Sequence, residues 1–273
     1  MSIPRCCSRL CHELSRPGVS GFFDLNENDS KAVDPGPTFG PHGLLQLAWR
    51  IAVLFFVVVA LIHDVSTTLK PELTFAYLTN FTYLVSCVYL VFSLLCSIVE
   101  AYSRGLRVDK TSIRLHERAT WFLFAVVMPG EVLVAVLYWV LVHDPETTAD
   151  FFNYLSHGAI VPLVAIDGWI VGRIPLRAPQ GLFVFLYAAG YAIWTIIYMH
   201  INTAEGGNDD DYEALYDFIL WKDSPSTTAP VVLVLLFIIC PLLFMLCWAL
   251  STLVPKRYHN YSSPGEKDVL LPP

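Results

Sequence analysis

The sequence predicts an all-α polytopic membrane protein: a bundle of six transmembrane helices with both termini in the cytosol. Three observations carry that prediction. Of the 273 residues, 55% are apolar and 15% charged, which leaves too little polar surface for a soluble chain of this length. The apolar residues fall in six blocks, at about 44–63, 73–99, 119–143, 151–172, 181–200 and 229–254. Each block can cross a hydrocarbon core about 30 Å thick as a helix, and none has the alternation that a membrane β-barrel needs.

The third observation is the placement of Lys and Arg. Fourteen of the 17 lie in residues 1–40, in the second and fourth connections and after the sixth block. Only Lys70 and Lys222 fall on the opposite side, and Arg50 sits inside the first block. Basic connections stay in the cytosol, so both tails are expected there. The net charge of −7 hides this asymmetry, because the fifth connection carries Glu205, Asp209, Asp210, Asp211, Glu213 and Asp217.

Three regions follow: a disordered cytoplasmic tail over 1–40, a transmembrane domain over 41–254 and a second cytoplasmic tail over 255–273. The first forty residues lack the apolar core of a cleavable leader. Cys6, Cys7 and Cys11 stand beside Arg5 and Arg9, and both S-palmitoylation and plain free thiols are open readings. Asn28-Asp-Ser30 and Asn260-Tyr-Ser262 match the glycosylation pattern but lie in tails expected to face the cytosol. Glu266-Lys-Asp-Val-Leu270-Leu271 has the form of an acidic dileucine sorting signal. The sequence has no disulfide framework, zinc spacing or phosphate-binding glycine loop, so neither a cofactor nor a metal is expected. Membrane lipids are the expected partners, and nucleic acid is not.

Taken in order, the blocks differ in what they bury. The first holds Arg50. The second repeats Thr79, Thr82 or Tyr83, and Ser86 at helical spacing, a polar stripe along one face. The third holds Glu131 beside Pro129-Gly130. The fourth departs most from an ordinary span, running His157-Gly-Ala-Ile-Val-Pro162-Leu-Val-Ala-Ile-Asp167. The fifth ends at His200, and the sixth carries no ionisable group besides cysteine.

An ionisable side chain at bilayer depth costs roughly 2.5–3.5 kcal/mol, so each needs a partner or a function. Arg50 and Asp167 lie at matching depths on the cytoplasmic side, and an ion pair between them removes the cost of both. At about 1.5 Å per residue, Thr79 and His157 both lie roughly 9 Å in from the outer side. One reading makes Thr79 a nucleophile and His157 its base. The other makes the threonine interhelical hydrogen-bond glue and the histidine a satisfied interfacial side chain. His63, His143, His157 and His200 share the outer boundary, without ligand-type spacing.

The fourth-block stretch resembles a helix of the androgen-induced (FAR-17a) transmembrane family, in which a histidine precedes a proline by five residues and an acid by ten. Ala76-Tyr-Leu-Thr79-Asn-Phe is similar to that family's Phe-Leu-Thr-Phe stretch, and Gly190-Tyr191-Ala-Ile-Trp194 with His200 resembles another of its helices. The resemblance covers roughly 45–250. Leu-Thr-Asn and His-x9-Asp bring the chain closest to the rolling stone-like branch. The resemblance implies a threonine hydrolase of fatty-acid esters, with the nucleophile at Thr79, the base at His157, and His200 and Asn80 in support. The rolling stone-like branch implies instead a non-enzymatic plasma-membrane protein of cell–cell contact or myoblast fusion. Asn80 after the threonine and Asp167 in place of a glutamate depart from the hydrolase pattern. The membrane of residence is left between plasma membrane and endomembrane.

Overall fold

The computed structural model describes residues 43–67, 76–105, 115–144, 151–205 and 215–253, with Thr74, Glu146 and Thr148. The tails at 1–40 and 255–273, with their cysteine trio, glycosylation patterns and dileucine, lie outside the described residues, as do the acidic residues 209–213. The described residues form six helices long and apolar enough to cross a membrane, and no strand. They are α1 (Leu44–Thr67), α2 (Leu78–Val99), α3 (Leu115–Val142), α4 (Phe151–Val171), α5 (Ala178–Ile201) and α6 (Pro225–Ser251). The protein is therefore a multi-pass, all-α membrane protein.

Four helix starts differ from those expected, that of α5 because a 3-10 turn over Ala178–Gln180 leads into it ahead of 181. α2 begins at Leu78 rather than 73, because the chain at Ala76 is bound from outside: Tyr191 Oη and Trp194 Nε1 both donate to its carbonyl, at 3.0 and 3.3 Å. α3 begins at Leu115 rather than 119, its first turn taking in His116, Glu117 and Arg118. α6 begins at Pro225 rather than 229; proline suits the first helical position because the N–H it lacks would be unpaired there anyway.

Half of α2 and half of α3 are buried, against 17–28% of the other four spans, so these two form the centre of the bundle. α1 packs on α2, while α4, α5 and α6 pack on α3. The peripheral helices turn large apolar side chains outward, among them Phe55, Phe56, Leu186, Ile193, Leu242 and Leu246. Lipid tails are as apolar as leucine, so these faces meet their solvent without cost. The inward face of α2 is different. Thr82, Tyr83, Ser86, Tyr89, Ser93 and Ser97 are all buried along it. From Tyr83 onward they stand three or four residues apart, which keeps them on one stripe, and Thr82 precedes Ser86 by four.

α4 is not a regular α-helix. It carries π-helical turns at Leu155–Ala159 and Ile166–Val171, the first bearing His157 and the second Asp167. Gly168 lets this helix press on α3: a Cβ there would collide with the Phe124 ring. Gly168→Ala is accordingly expected to abolish folded protein in membranes. Gly168→Ala combined with Phe124→Ala is expected to restore part of it, measured as the monodisperse fraction after detergent extraction. Equal yields for Gly168→Ala and the native chain would contradict this packing.

Candidate functional site

The α2 stripe meets three polar groups in turn. Near the start of α1 and the end of α4, Arg50 Nε lies 3.1 Å from Asp167 Oδ1, both side chains fully enclosed. Tyr89 Oη and Ser93 Oγ, one helical turn apart on α2, donate to Asp167 Oδ2 at 2.7 and 2.8 Å. Arg50 Nη1 donates to the Ser93 carbonyl at 2.9 Å and to Ser97 Oγ. One guanidinium and one carboxylate thus join α1, α2 and α4, with α2 hydroxyls taking up the positions that water would hold.

Midway along the bundle, Glu131 is fully buried and accepts a hydrogen bond from Ser86 Oγ. Its Oε2 and the Tyr83 hydroxyl have no partner among the described residues. Thr82 donates to the Leu78 carbonyl at 2.7 Å, which makes Tyr187 the donor in its own 2.7 Å bond to Thr82 Oγ1.

At the opposite end from Arg50, all six helices border a cavity of about 270 Å³. Thr79, Asn80 and His157 line it, with Asp64 from α1 and Tyr138 from α3. Tyr187 and Tyr191 come from α5, and Leu235 from α6. Because α2 starts at Leu78, Thr79 is the second residue of the helix, in its first turn, rather than some two turns inside it. No hydrogen bond joins Thr79 to His157.

His157 is held from two sides. Its ring stacks on Tyr138, with centroids 3.5 Å apart and planes within 4°. Its carbonyl accepts the Trp139 indole N–H at 2.9 Å. The need for that outside donor is visible in the backbone. Ile160 N–H bonds to Leu155 O five residues back, and in that register the His157 carbonyl is due the N–H of residue 162. Residue 162 is proline and has none. Trp139 supplies the missing proton, and His157 Nδ1 is left buried without a partner.

The supporting residues are placed differently from the main pair. The Asn80 side-chain amide donates to the Thr74 carbonyl at 2.9 Å. His200 is exposed near the end of α5 and does not line the cavity, so the structure does not bring it to His157. His63 stacks on Phe152 at 3.5 Å, and His143 sits against Tyr138 and Trp139. Among the described residues no three His, Cys, Asp or Glu side chains gather as a metal site would require.

A segment ahead of α6 covers part of the cavity. Leu215, Tyr216, Phe218 and Ile219, ahead of α6, line it from above. Tyr216 Oη accepts the Leu78 N–H at 2.9 Å, capping the start of α2. Burial holds this phenol above its ordinary pKa, so it stays neutral and keeps the cap in place at physiological pH. Trp221 Nε1 donates to Thr195 Oγ1 at 2.9 Å and ties the rest of the cover to α5. Sequence reasoning missed Asp64, Tyr138, Trp139, Tyr187, Tyr191 and Tyr216. The orphaned carbonyl that Pro162 creates was the one signal calling for a donor near His157.

Compared with known proteins, residues 45–204 match the family model described as FAR-17a/AIG1-like protein. No curated protein and no solved structure matches the chain.

The enclosed pair at the other end yields a stability prediction. Arg50→Met alone or Asp167→Leu alone strands a buried charge and is expected to cost about 3–5 kcal/mol. The double variant removes both charges and should recover most of that loss. Thermal unfolding in neutral detergent reads it, and additive single effects would contradict a coupled pair.

Proposed function

The chain belongs to the FAR-17a/AIG1-like family, and on that premise we propose that it is an intramembrane lipid-ester hydrolase with Thr79 as nucleophile and His157 as base. One arrangement supports this reading above the rest: Thr79 and His157 come from different helices to one cavity, where the imidazole Nδ1 has no partner. A threonine hydroxyl needs a base to become a nucleophile, and an imidazole held by stacking rather than by hydrogen bonds keeps its nitrogens for that work.

In this mechanism Thr79 Oγ attacks the acyl carbonyl while His157 takes its proton. The proton passes to the departing alcohol, leaving an acyl-threonine. Water then attacks that ester, gives a proton to His157 and releases the acid as Thr79 is restored. The negative oxygen formed in each step needs donors. First-turn amides of a helix have no acceptor within it. Tyr216 takes that of Leu78, and the Asn80 backbone N–H is the donor left beside Thr79. The Asn80 side chain, bonded to Thr74, shapes the turn instead. His200 has no part in this scheme.

The reaction needs no cofactor. On the Lys and Arg distribution both tails are cytosolic, and the cavity then opens toward the outer leaflet of a plasma membrane or endomembrane. A second reading, a non-enzymatic protein of cell–cell contact or myoblast-type fusion as in the rolling stone-like branch, draws on one observation. The end of the acidic α5–α6 connection is bonded onto the bundle as a cover, which would hold that connection in display.

The readings separate on labelling by a fluorophosphonate probe in membranes. The hydrolase reading predicts labelling of the native chain, its loss in Thr79→Ala and His157→Ala at equal expression, and partial retention in Thr79→Ser. An unlabelled native chain beside a labelled family member would remove the chemical reading.

A further inference from the structure

The cavity carries formal charge of one sign. Asp64 is the single Asp, Glu, Lys or Arg among the described residues that line it. Its position is costly: it lies in the last turn of α1, where the helix carbonyls already concentrate partial negative charge. The Asn80 amide approaches its carboxyl, and the ring of neighbouring His63 is stacked on Phe152. Asn80 and His63 offset part of that cost and hold the carboxyl at the cavity wall.

Two further observations point the same way. Five tyrosines line the cavity, Tyr77, Tyr138, Tyr187, Tyr191 and Tyr216; Tyr138 has one face on His157 and Tyr187 one on Phe81, and the faces of aromatic rings attract cations. The α1–α2, α3–α4 and α5–α6 connections share this end of the bundle by the alternation of spans. Among the described residues at this end, Asp144, Glu146, Asp217 and Asp223 join Asp64, against Lys222. Such a field concentrates cations and repels anions. The opposite wall is apolar, with Leu133 and Leu137 of α3 facing the same space as Val232 and Leu236 of α6.

We propose that the cavity binds an amphiphile bearing a cationic ammonium group, the ammonium at Asp64 and the chain along the α3–α6 wall. Resting on the hydrolase reading, this makes the substrate an acyl ester of an ammonium alcohol rather than an ester carrying a free carboxylate. The ester C–O bond breaks, water supplies hydroxyl to the acyl group and a proton to the alcohol, and a fatty acid and an ammonium alcohol leave. The acid product carries the same charge sign as Asp64, which favours its departure.

Binding and turnover test this separately on the full chain in neutral detergent. Thermal stabilisation is measured with dodecyltrimethylammonium and with dodecanoate below their micellar concentrations, and hydrolysis with lauroylcholine and ethyl laurate. The ammonium compound is expected to stabilise at about tenfold lower concentration than the carboxylate. Asp64→Asn should erase the difference and Asp64→Glu should keep it. Equal response to the two amphiphiles, or a preference that survives in a folded Asp64→Asn protein, overturns the proposal. Cleavage of ethyl laurate with no preference for lauroylcholine also overturns it while sparing the hydrolase reading. Asp64-dependent ammonium binding without cleavage of either ester upholds the binding site and removes the hydrolase.

Discussion

A hydroxyl inside a bilayer has no water to bond, so a helix that buries a row of them dictates its neighbours. α2 buries Thr82, Tyr83, Ser86, Tyr89, Ser93 and Ser97 on one face, and polar groups of four other helices answer that row. Asp167 of α4 takes Tyr89 and Ser93, Arg50 of α1 takes Ser97 and the Ser93 carbonyl, Glu131 of α3 takes Ser86, and Tyr187 of α5 reaches Thr82. Four helices are thereby fixed against one. In lipid, where apolar contact gives little preference among helices, such bonds contribute order more than strength.

The row ends at Thr79, and the change in its surroundings there matters. Below it every hydroxyl meets a protein group except Tyr83. At Thr79 the stripe opens into a cavity. His157 reaches the same cavity because α4 is loosened by Pro162 and by π-helical turns, which often occur at functional sites. Three of the four π-helical turns in the described residues, those at Tyr138–Val142, Leu155–Ala159 and Leu235–Ile239, contribute to the lining. Extra residues at these points turn side chains toward the cavity that regular helices would direct elsewhere.

The six spans were legible because a bilayer demands long apolar blocks, and the Arg50–Asp167 contact was legible because each charge needed a partner at its depth. Helix starts were less so. At Ala76 the chain is held in a 3-10 turn ahead of α2 by Tyr191 and Trp194, more than a hundred residues away, and no local pattern announces such bonds. The tyrosines of the cavity escaped notice for a related reason: on a membrane helix an aromatic residue reads equally as interface anchor, packing or lining. Asp64 stands at the end of its span, where an acid that lines a cavity has the same sequence signal as one that faces water. The cover at Leu215–Ile219 lies in a connection whose dominant sequence feature is its acidity.

A Thr79–His157 hydrolase requires the two side chains to face one another across the cavity that both line. Paired substitution of both by cysteine, followed by a short bismaleimide and mass-spectrometric mapping, tests that facing in native membranes. An intramolecular link is expected between positions 79 and 157 and none between positions 200 and 157. A 200–157 link, or failure at 79–157 while the neighbouring pair at 64 and 80 links, would contradict it.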